Sequence, residues 1–506
     1  MIAYFRFCTI AILLLIGIST CAAKARQSSQ SNEPESTKAY ASKWVGLSTP
    51  HFELYTTNEP QAALEAVQRL EMVHSFFRQA GADAGLFGAV PEAAVQVIAF
   101  RSAREYSAHR VNPTACAYYQ RTRSGDYIVM QDLAPDHYQV GVHEYTHFLF
   151  QHSGLKLPLW LNEGLAEFYS SLESRNGQVF LGRPPFGRLH SLRTQSWLSL
   201  TALFSVAQGS PYYTQADKMA IFYAESWALT HMLAMDAQYA PQFSGLLTLI
   251  SNGTPAPEAF QTLYHKSPDQ VTADLNNYLQ QRQLPVRVFD WSAAPAVIQP
   301  KFLPSPLARV DFALADLAAS NPYSGLGAAG QLDEVSKKYP EDPEAEESLG
   351  FLALRQNRPS EARVHFAKAV ERHSVAPDAL FYLAHLDLNA GAPAGPIVEL
   401  LQRVLVLDPS HYNAHLDLGF AQAKANRFDL AVVALNSIPN VRPEHAYLIA
   451  YTLGYCYIQM HRAPEAQTHA EKAQRLAGSD ADRRQTDQLL RYIENERVRA
   501  KLIAAN

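Results

Sequence analysis

An α+β domain followed by an all-α helical-repeat solenoid is the fold class this sequence predicts. Three observations carry it. Strand-like segments precede helical ones between residues 44 and 285, a proline-punctuated stretch interrupts the chain at 286–305, and beyond it a leucine–small pair returns every 34 or 35 residues. Strands first and helices after is the α+β pattern. The chain's 506 residues are too many for one core and suit two or three domains.

Residues 1–23 differ from the rest. "MIAYFR" carries one arginine, and the almost wholly apolar "FCTIAILLLIGI" follows. That run is short for a membrane span, which needs about 20 residues, and suits the core of a signal peptide. "CAA", ending at Ala23, offers a small-residue cleavage site, while "ISTC" resembles a lipobox with Cys21 as the lipidated residue. The threonine before that cysteine departs from the lipobox pattern, and an uncleaved anchor is the third option. The expectation is an exported protein of the periplasm or cell envelope, released or attached to the membrane through Cys21. Residues 24–43, opening "KARQSSQSNEPESTK", are polar and without periodicity, the composition of a flexible linker.

Structured patterning begins at Trp44. "HFELYTT" (51–57) and "AAVQVIAF" (93–100) read as strands, separated by a helical run through Leu64, Val67, Leu70 and Phe77. "ACAYYQR" and "DYIVMQD" form a strand pair around Ser124-Gly125, and "RNGQVFLG" a hairpin turning on Asn176-Gly177. Residues 197–280 are mostly helical, and 286–305 connect domains. In 306–478, Leu314-Ala315, Leu349-Gly350, Leu383-Ala384, Leu418-Gly419 and Leu453-Gly454 recur, with Ala328, Ala362, Ala431 and Ala466 following at 12 or 13 residues. The third copy, with "GAPAGP", departs. Small residues where paired helices must approach, at this period, resemble tetratricopeptide repeats. Such a stack offers a concave face to a peptide or protein partner. Residues 479–506 read as a charged helix that closes it.

Charge is close to balanced, 43 Lys and Arg against 48 Asp and Glu, with no concentrated basic patch, which argues against nucleic acid as a partner. Of four cysteines only Cys116 and Cys456 lie in the body of the chain, in different domains, so buried free thiols are expected rather than a disulfide framework.

The chemistry concentrates in "VHEYTHFLFQHSGLKLPLWLNEGLAEF", residues 142–168. Positions four apart share a helix face, so His143 and His147 can point two imidazoles at one cation while Glu144 stands beside them as a general base. From His147 the helix runs about six residues, roughly 9 Å, to Ser153, where Gly154 stops it. From a restart at Pro158, five residues return roughly 8 Å to Glu163. An antiparallel helix pair thus brings Glu163 level with the histidines as third ligand. Glu167, one turn on, suits the outer role of accepting from a ligand imidazole. Spacing alone allows Glu163 and Glu167 to exchange roles, and the return distance favours Glu163.

"HEYTH" followed by "WLNEGLAEF" resembles the gluzincin clan of zinc metallopeptidases, and "WLNEG" is similar to its aminopeptidase branch. The resemblance spans 44–285 in order of elements, although its specific motifs occupy about 40 residues. It implies Zn2+ held by His143, His147 and Glu163, with Glu144 as base. Through "FYAESWALTHML" (222–233) it implies Tyr223 as donor to the transition-state oxyanion, with His231 the runner-up. It also implies that strands 115–131 pair with an extended substrate peptide. The glycine-and-glutamate motif that binds a free amine in that branch has no counterpart, so aminopeptidase activity is not implied. An exported metallopeptidase carrying tetratricopeptide repeats is similar, in domain order, to bacterial envelope proteases of protein quality control. His152 is expected to serve as a helix cap, Tyr118 and Tyr119 as sheet packing, and Arg183 and Arg188 as exposed loop residues. The competing reading is a non-catalytic repeat scaffold with a structural or vestigial zinc site.

Overall fold

The computed structural model describes residues 17–20, 44–84, 94–111, 115–291, 298–304, 306–321 and 327–504. The cleavage site at Ala23, Cys21 and the linker 24–43 lie outside them. The chain forms two compact units, 1–321 and 322–506. Among the described residues no helix is long and apolar enough to cross a membrane.

The first unit opens with β1 (Gly17–Thr20), β2 (Val45–Ser48), β3 (Phe52–Thr56), α1 (Pro60–Ala84), β4 (Val95–Ala99), α2 (Ala103–Tyr106), β5 (Ala115–Arg121) and β6 (Asp126–Met130). Two long helices follow, α3 (Tyr138–His152) and α4 (Leu159–Ser170), then the hairpin β7 (Glu173–Arg175) and β8 (Gln178–Leu181). Next come α5 (Phe186–Thr194), α6 (Leu200–Phe204), α7 (Pro211–Thr214), α8 (Ala216–Met235), α9 (Phe243–Ser251), α10 (Ala256–Tyr264) and α11 (Pro268–Leu279). The unit ends with β9 (Arg287–Asp290), β10 (Lys301–Phe302) and α12 (Leu307–Ser320).

Seven strands make one sheet in the order β1-β5-β6-β4-β3-β2-β10, parallel at β3–β4 and β4–β6 and antiparallel elsewhere. Alternation along its strands feeds two cores, because successive side chains leave a strand on opposite faces. Val97, Ala99, Tyr119, Ile128 and Met130 join Val67, Val73 and Phe77 of α1 and Tyr145 and Phe148 of α3. Ile98, Phe100, Tyr118, Tyr127 and Val129 meet Ala313 and Leu317 of α12 instead. A sheet covered on both faces has no polar side, which is why these strands read as continuous apolar runs.

Three sequence expectations change. The segment 286–305 is not a connector: β9 pairs with β8, and β10 closes the large sheet beside β2. Short edge strands tolerate proline and so mimic a linker in composition. Residues 307–320 are not the first repeat helix of the solenoid but α12, seated on the sheet of the first unit, where Gln120 Nε2 donates to the Leu317 carbonyl at 3.4 Å. The strand β5 is not an open edge in the full chain, since Gly17–Thr20 pair along it with Gly17 opposite Tyr119 and Thr20 opposite Ala115, and cleavage after Ala23 would reopen it. A row of unpaired backbone groups accepts any extended segment within reach.

The second unit is all helix: α13 (Gly327–Lys338), α14 (Glu344–Arg355), α15 (Pro359–Glu371), α16 (Pro377–Asn389), α17 (Ala394–Leu407), α18 (Tyr412–Lys424), α19 (Phe428–Asn436), α20 (Pro443–Gln459), α21 (Ala463–Leu476) and α22 (Asp480–Ala504). The helices α14–α15, α16–α17, α18–α19 and α20–α21 are hairpins, a helical-repeat solenoid. The glycine of the leucine–small pair marks the close approach within a hairpin: a Cβ on Gly350 would lie 2.6 Å from the Phe366 ring, and one on Gly419 2.4 Å from Leu435. Left-handed residues end the leading helices at Asn357, Gly391, Asn426 and His461, so the "GAPAGP" copy turns as its neighbours do. Leu489 and Ile493 of α22 are buried against the last hairpin. Cys116 and Cys456 are buried thiols that form no disulfide.

Candidate metal centre

The helix α3 is buried along 141–150, and α4 is buried along nearly its whole length, so their polar residues face protein rather than water. Gly154, at φ +76°, ends the turn after α3, and Pro158 in extended conformation starts α4. This brings Glu163 back to the histidines. His143 Nε2 and His147 Nε2 lie 3.1 Å apart, and Glu163 Oε2 stands 3.3 Å and 3.5 Å from them. Ligands bound tetrahedrally at about 2.0–2.1 Å are themselves about 3.3–3.4 Å apart, so the triangle fits one face of a zinc coordination sphere. Glu163 Oε2 is buried and has no hydrogen-bond partner. Two imidazoles and a carboxylate are a suitable donor set for zinc. His143, His147 and Glu163 form the one group of this kind among the described residues.

Each of the three side chains has a partner behind it. His147 Nδ1 donates to Asn162 Oδ1 at 2.8 Å, which turns the Nε2 lone pair toward the centre. Glu163 Oε1 accepts from the Tyr213 hydroxyl at 2.9 Å. His143 Nδ1 has Glu167 Oε1 at 3.4 Å, the outer position the spacing predicts. Glu167 in turn takes a two-pronged ion pair from Arg188, Nε to Oε2 at 2.8 Å and Nη2 to Oε1 at 2.7 Å. Arg188 is therefore not an exposed loop residue: α5 carries it inward, and its side chain is 13% exposed. Arg183 does remain on the surface, paired with Glu173.

Glu144 is buried beside the ligands. Its Oε2 accepts from the Tyr119 backbone N–H of β5 at 2.8 Å, and its Oε1 has no hydrogen-bond partner. Burial pushes its carboxyl up to about 7 against the pull of His143 and His147. Burial acts the other way on His143, but Glu163, Glu167 and Glu144 outweigh it and raise the imidazole to about 10. Glu163 would also rise on burial, and His147 and His143 hold it at about 2 instead. Burial and then Arg188 and His143 act in opposite senses on Glu167, and the cations win, keeping it ionised.

Tyr223, buried on α8, has its ring centre 6.4 Å from that of His143, with the Arg188 guanidinium 5.1 Å over its face. His231, two turns on, is elsewhere: Nε2 donates to the Gly182 carbonyl at 2.7 Å and Nδ1 accepts from the Tyr278 hydroxyl at 2.8 Å. With both nitrogens committed, it is a structural histidine and not an oxyanion donor. His152 ends α3 but pairs with Asp126 Oδ2 at 2.9 Å rather than capping the helix. Tyr118 donates to the His109 carbonyl at 2.9 Å and Tyr119 to Asp126, both within the sheet packing.

The relative placement of Glu163 and Tyr223 depends on Gly164, where α4 crosses α8. A Cβ there would lie 2.2 Å from Thr230 Oγ1 and 2.4 Å from the Ser226 carbonyl oxygen. Because the second neighbour is backbone, the helices must separate to admit a methyl group. Gly164→Ala is expected to destabilise the first unit by about 1–3 kcal/mol, the usual cost of overpacking. Denaturant unfolding checks this, and a variant as stable as the parent would show that the crossing is loose.

Asn162 and Tyr213 escaped the sequence reading, and Arg188 was misplaced by it on an exposed loop. Asn162 had a signal, its place in "WLNEG" directly before the ligand; the other two had none.

No protein-family model matches the chain, and no curated protein matches it. Solved helical-repeat structures do. The structure of YrrB, described as a tetratricopeptide-repeat protein with an unusual peptide-binding site, is 18% identical, with 36% of this chain and 92% of that chain covered and a TM-score of 0.32. MamA is 18% identical over 34% of this chain and 93% of its own, at a TM-score of 0.28. MamA from Desulfovibrio magneticus RS-1 is 17% identical over 31% and 94%, at 0.25.

Proposed function

We propose that the first unit is a zinc-dependent peptidase of gluzincin type and that the repeats recruit a protein substrate or partner. The observation that carries this reading is the triangle of His143 Nε2, His147 Nε2 and Glu163 Oε2, with an unpartnered oxygen of Glu144 in the same buried cluster. Zinc held by these three residues would supply Lewis acidity toward a scissile carbonyl and lower the pKa of a water to about 7. Glu144 Oε1 takes the water's proton and returns it to the departing amine, while Oε2 stays anchored on Tyr119. Its elevated pKa suits a group that must both accept and release a proton near neutrality. The Tyr223 hydroxyl is the donor to the developing oxyanion.

The leader-like run before Ala23 supports export to the periplasm or cell envelope, with release by cleavage or attachment through lipid on Cys21. A second reading is a non-catalytic repeat scaffold whose metal site is structural or vestigial, and it draws support from the helical hairpins that make up the second unit. Glu144 separates the two. A structural zinc site closes its fourth position with protein, and no fourth ligand joins the group among the described residues.

The test is metal content by mass spectrometry, with wild type beside His143→Ala and Glu163→Ala, and hydrolysis of unfolded casein in parallel. About one zinc per chain, lost in both variants, is expected. A wild type that takes up no zinc when zinc is supplied transfers the assignment to the scaffold.

A further inference from the structure

We propose that Tyr213 is a positioning residue that keeps Glu163 a one-oxygen ligand and so keeps the fourth position at the metal open. The inference rests on the metal-centre reading above. It concerns a division of labour within one carboxylate. Oε2 faces the two histidine Nε2 atoms at 3.3 Å and 3.5 Å and has no hydrogen-bond partner, while Oε1 is tied to the Tyr213 hydroxyl at 2.9 Å. A carboxylate free at both oxygens can bind a cation through either or through both. A second oxygen on zinc would fill the position that catalysis requires to be open.

Tyr213 is well placed to prevent this, because its own position is firmly set. It lies on α7, a four-residue helix whose first turn is fastened by the Ser210 hydroxyl accepting from the Tyr212 N–H at 3.3 Å. Its ring is buried, lies 6.3 Å from Tyr223 in a stacked arrangement inclined by 20°, and meets Phe222 edge-on at 6.0 Å. Its hydroxyl gives its hydrogen bond to Glu163 Oε1. Removing the Tyr213 hydroxyl frees Oε1 and leaves the ring packing in place.

The experiment is the visible spectrum of the full chain loaded to saturation with cobalt(II), whose bands are strong in four-coordinate sites and weak when more ligands bind. Wild type, Tyr213→Phe and the neighbouring control Tyr212→Phe are compared, with circular dichroism reporting the fold. The expected result is a wild-type spectrum in the control and a loss of band intensity in Tyr213→Phe. Tyr213→Met, which fills the space without a ring or hydroxyl, repeats the comparison if the phenylalanine variant does not fold. An unchanged spectrum overturns the proposal. So does a folded variant that no longer takes cobalt, because a carboxylate released to chelate holds the ion with more oxygens. A wild type that binds no cobalt overturns the metal centre itself, a different failure.

Discussion

Glu144→Gln is expected to retain its metal and lose hydrolysis by roughly 10²- to 10⁴-fold, the range general-base removal produces. The substitution is close to isosteric, and the amide oxygen can still accept from the Tyr119 N–H that holds Oε2 at 2.8 Å. What disappears is a proton acceptor at Oε1. Because burial already pushes this carboxyl up to about 7, ionising it costs folding energy, and the neutral amide removes that cost. Stability should therefore be unchanged or slightly higher while turnover collapses, a combination that misfolding cannot imitate. Zinc analysis, thermal unfolding and casein hydrolysis on one preparation measure all three. Normal turnover in the variant would end the mechanism.

Arg188→Ala is expected to be the most damaging single change to stability, about 3–5 kcal/mol, since it strands a buried carboxylate without its partner. Both side chains of the pair are largely withdrawn from water, 13% and 6% exposed, and Glu167 accepts two short hydrogen bonds from the guanidinium. Metal affinity should fall too, by roughly 10- to 100-fold, as Glu167 loses its hold beside the His143 ring. Adding Glu167→Gln to Arg188→Ala removes the stranded charge and should recover part of the stability but none of the affinity. A double-mutant cycle in denaturant, with zinc competition alongside, separates the two effects. A loss below about 1 kcal/mol for Arg188→Ala would mean that water reaches the pair and screens it.

How much of this could be read from the chain alone depended on sequence distance. The buried cluster of His143, His147 and Glu163 was legible because the two histidines are one turn apart and Glu163 returns across a short turn, marked by Gly154 and Pro158, so helix geometry alone brings them together. Arg188 lies 21 residues from Glu167, and Tyr213 lies 50 from Glu163, each on a short helix whose direction only the packed core decides. An arginine in "GRPPFGR" carries the composition of a surface loop and gives no hint that α5 turns inward. His231 was drawn toward the site by its spacing from Tyr223, yet α8 is buried on every side, so its neighbours face different partners. In the second unit the period survived intact, since Gly350 and Gly419 mark real helix contacts. The same period misled at Leu314-Ala315, where a leucine–alanine pair serves a helix on a sheet as well as it serves a helix in a hairpin.

The closing strand of the large sheet has a consequence for how the chain reaches its native state. Lys301 pairs with Ser48, about 250 residues earlier, and contacts so far apart in sequence form slowly. During synthesis the sheet can assemble against α1 and α3 long before residues 301–320 emerge from the ribosome. Until then the face bearing Ile98, Phe100, Tyr118, Tyr127 and Val129 lacks α12, and its apolar surface is available to other chains. The proline-rich stretch that invites a cut at residue 285 is thus a poor place to divide the protein. A fragment ending there would lack β9, β10 and α12 and be prone to aggregate, whereas one that runs through residue 321 carries its own cover.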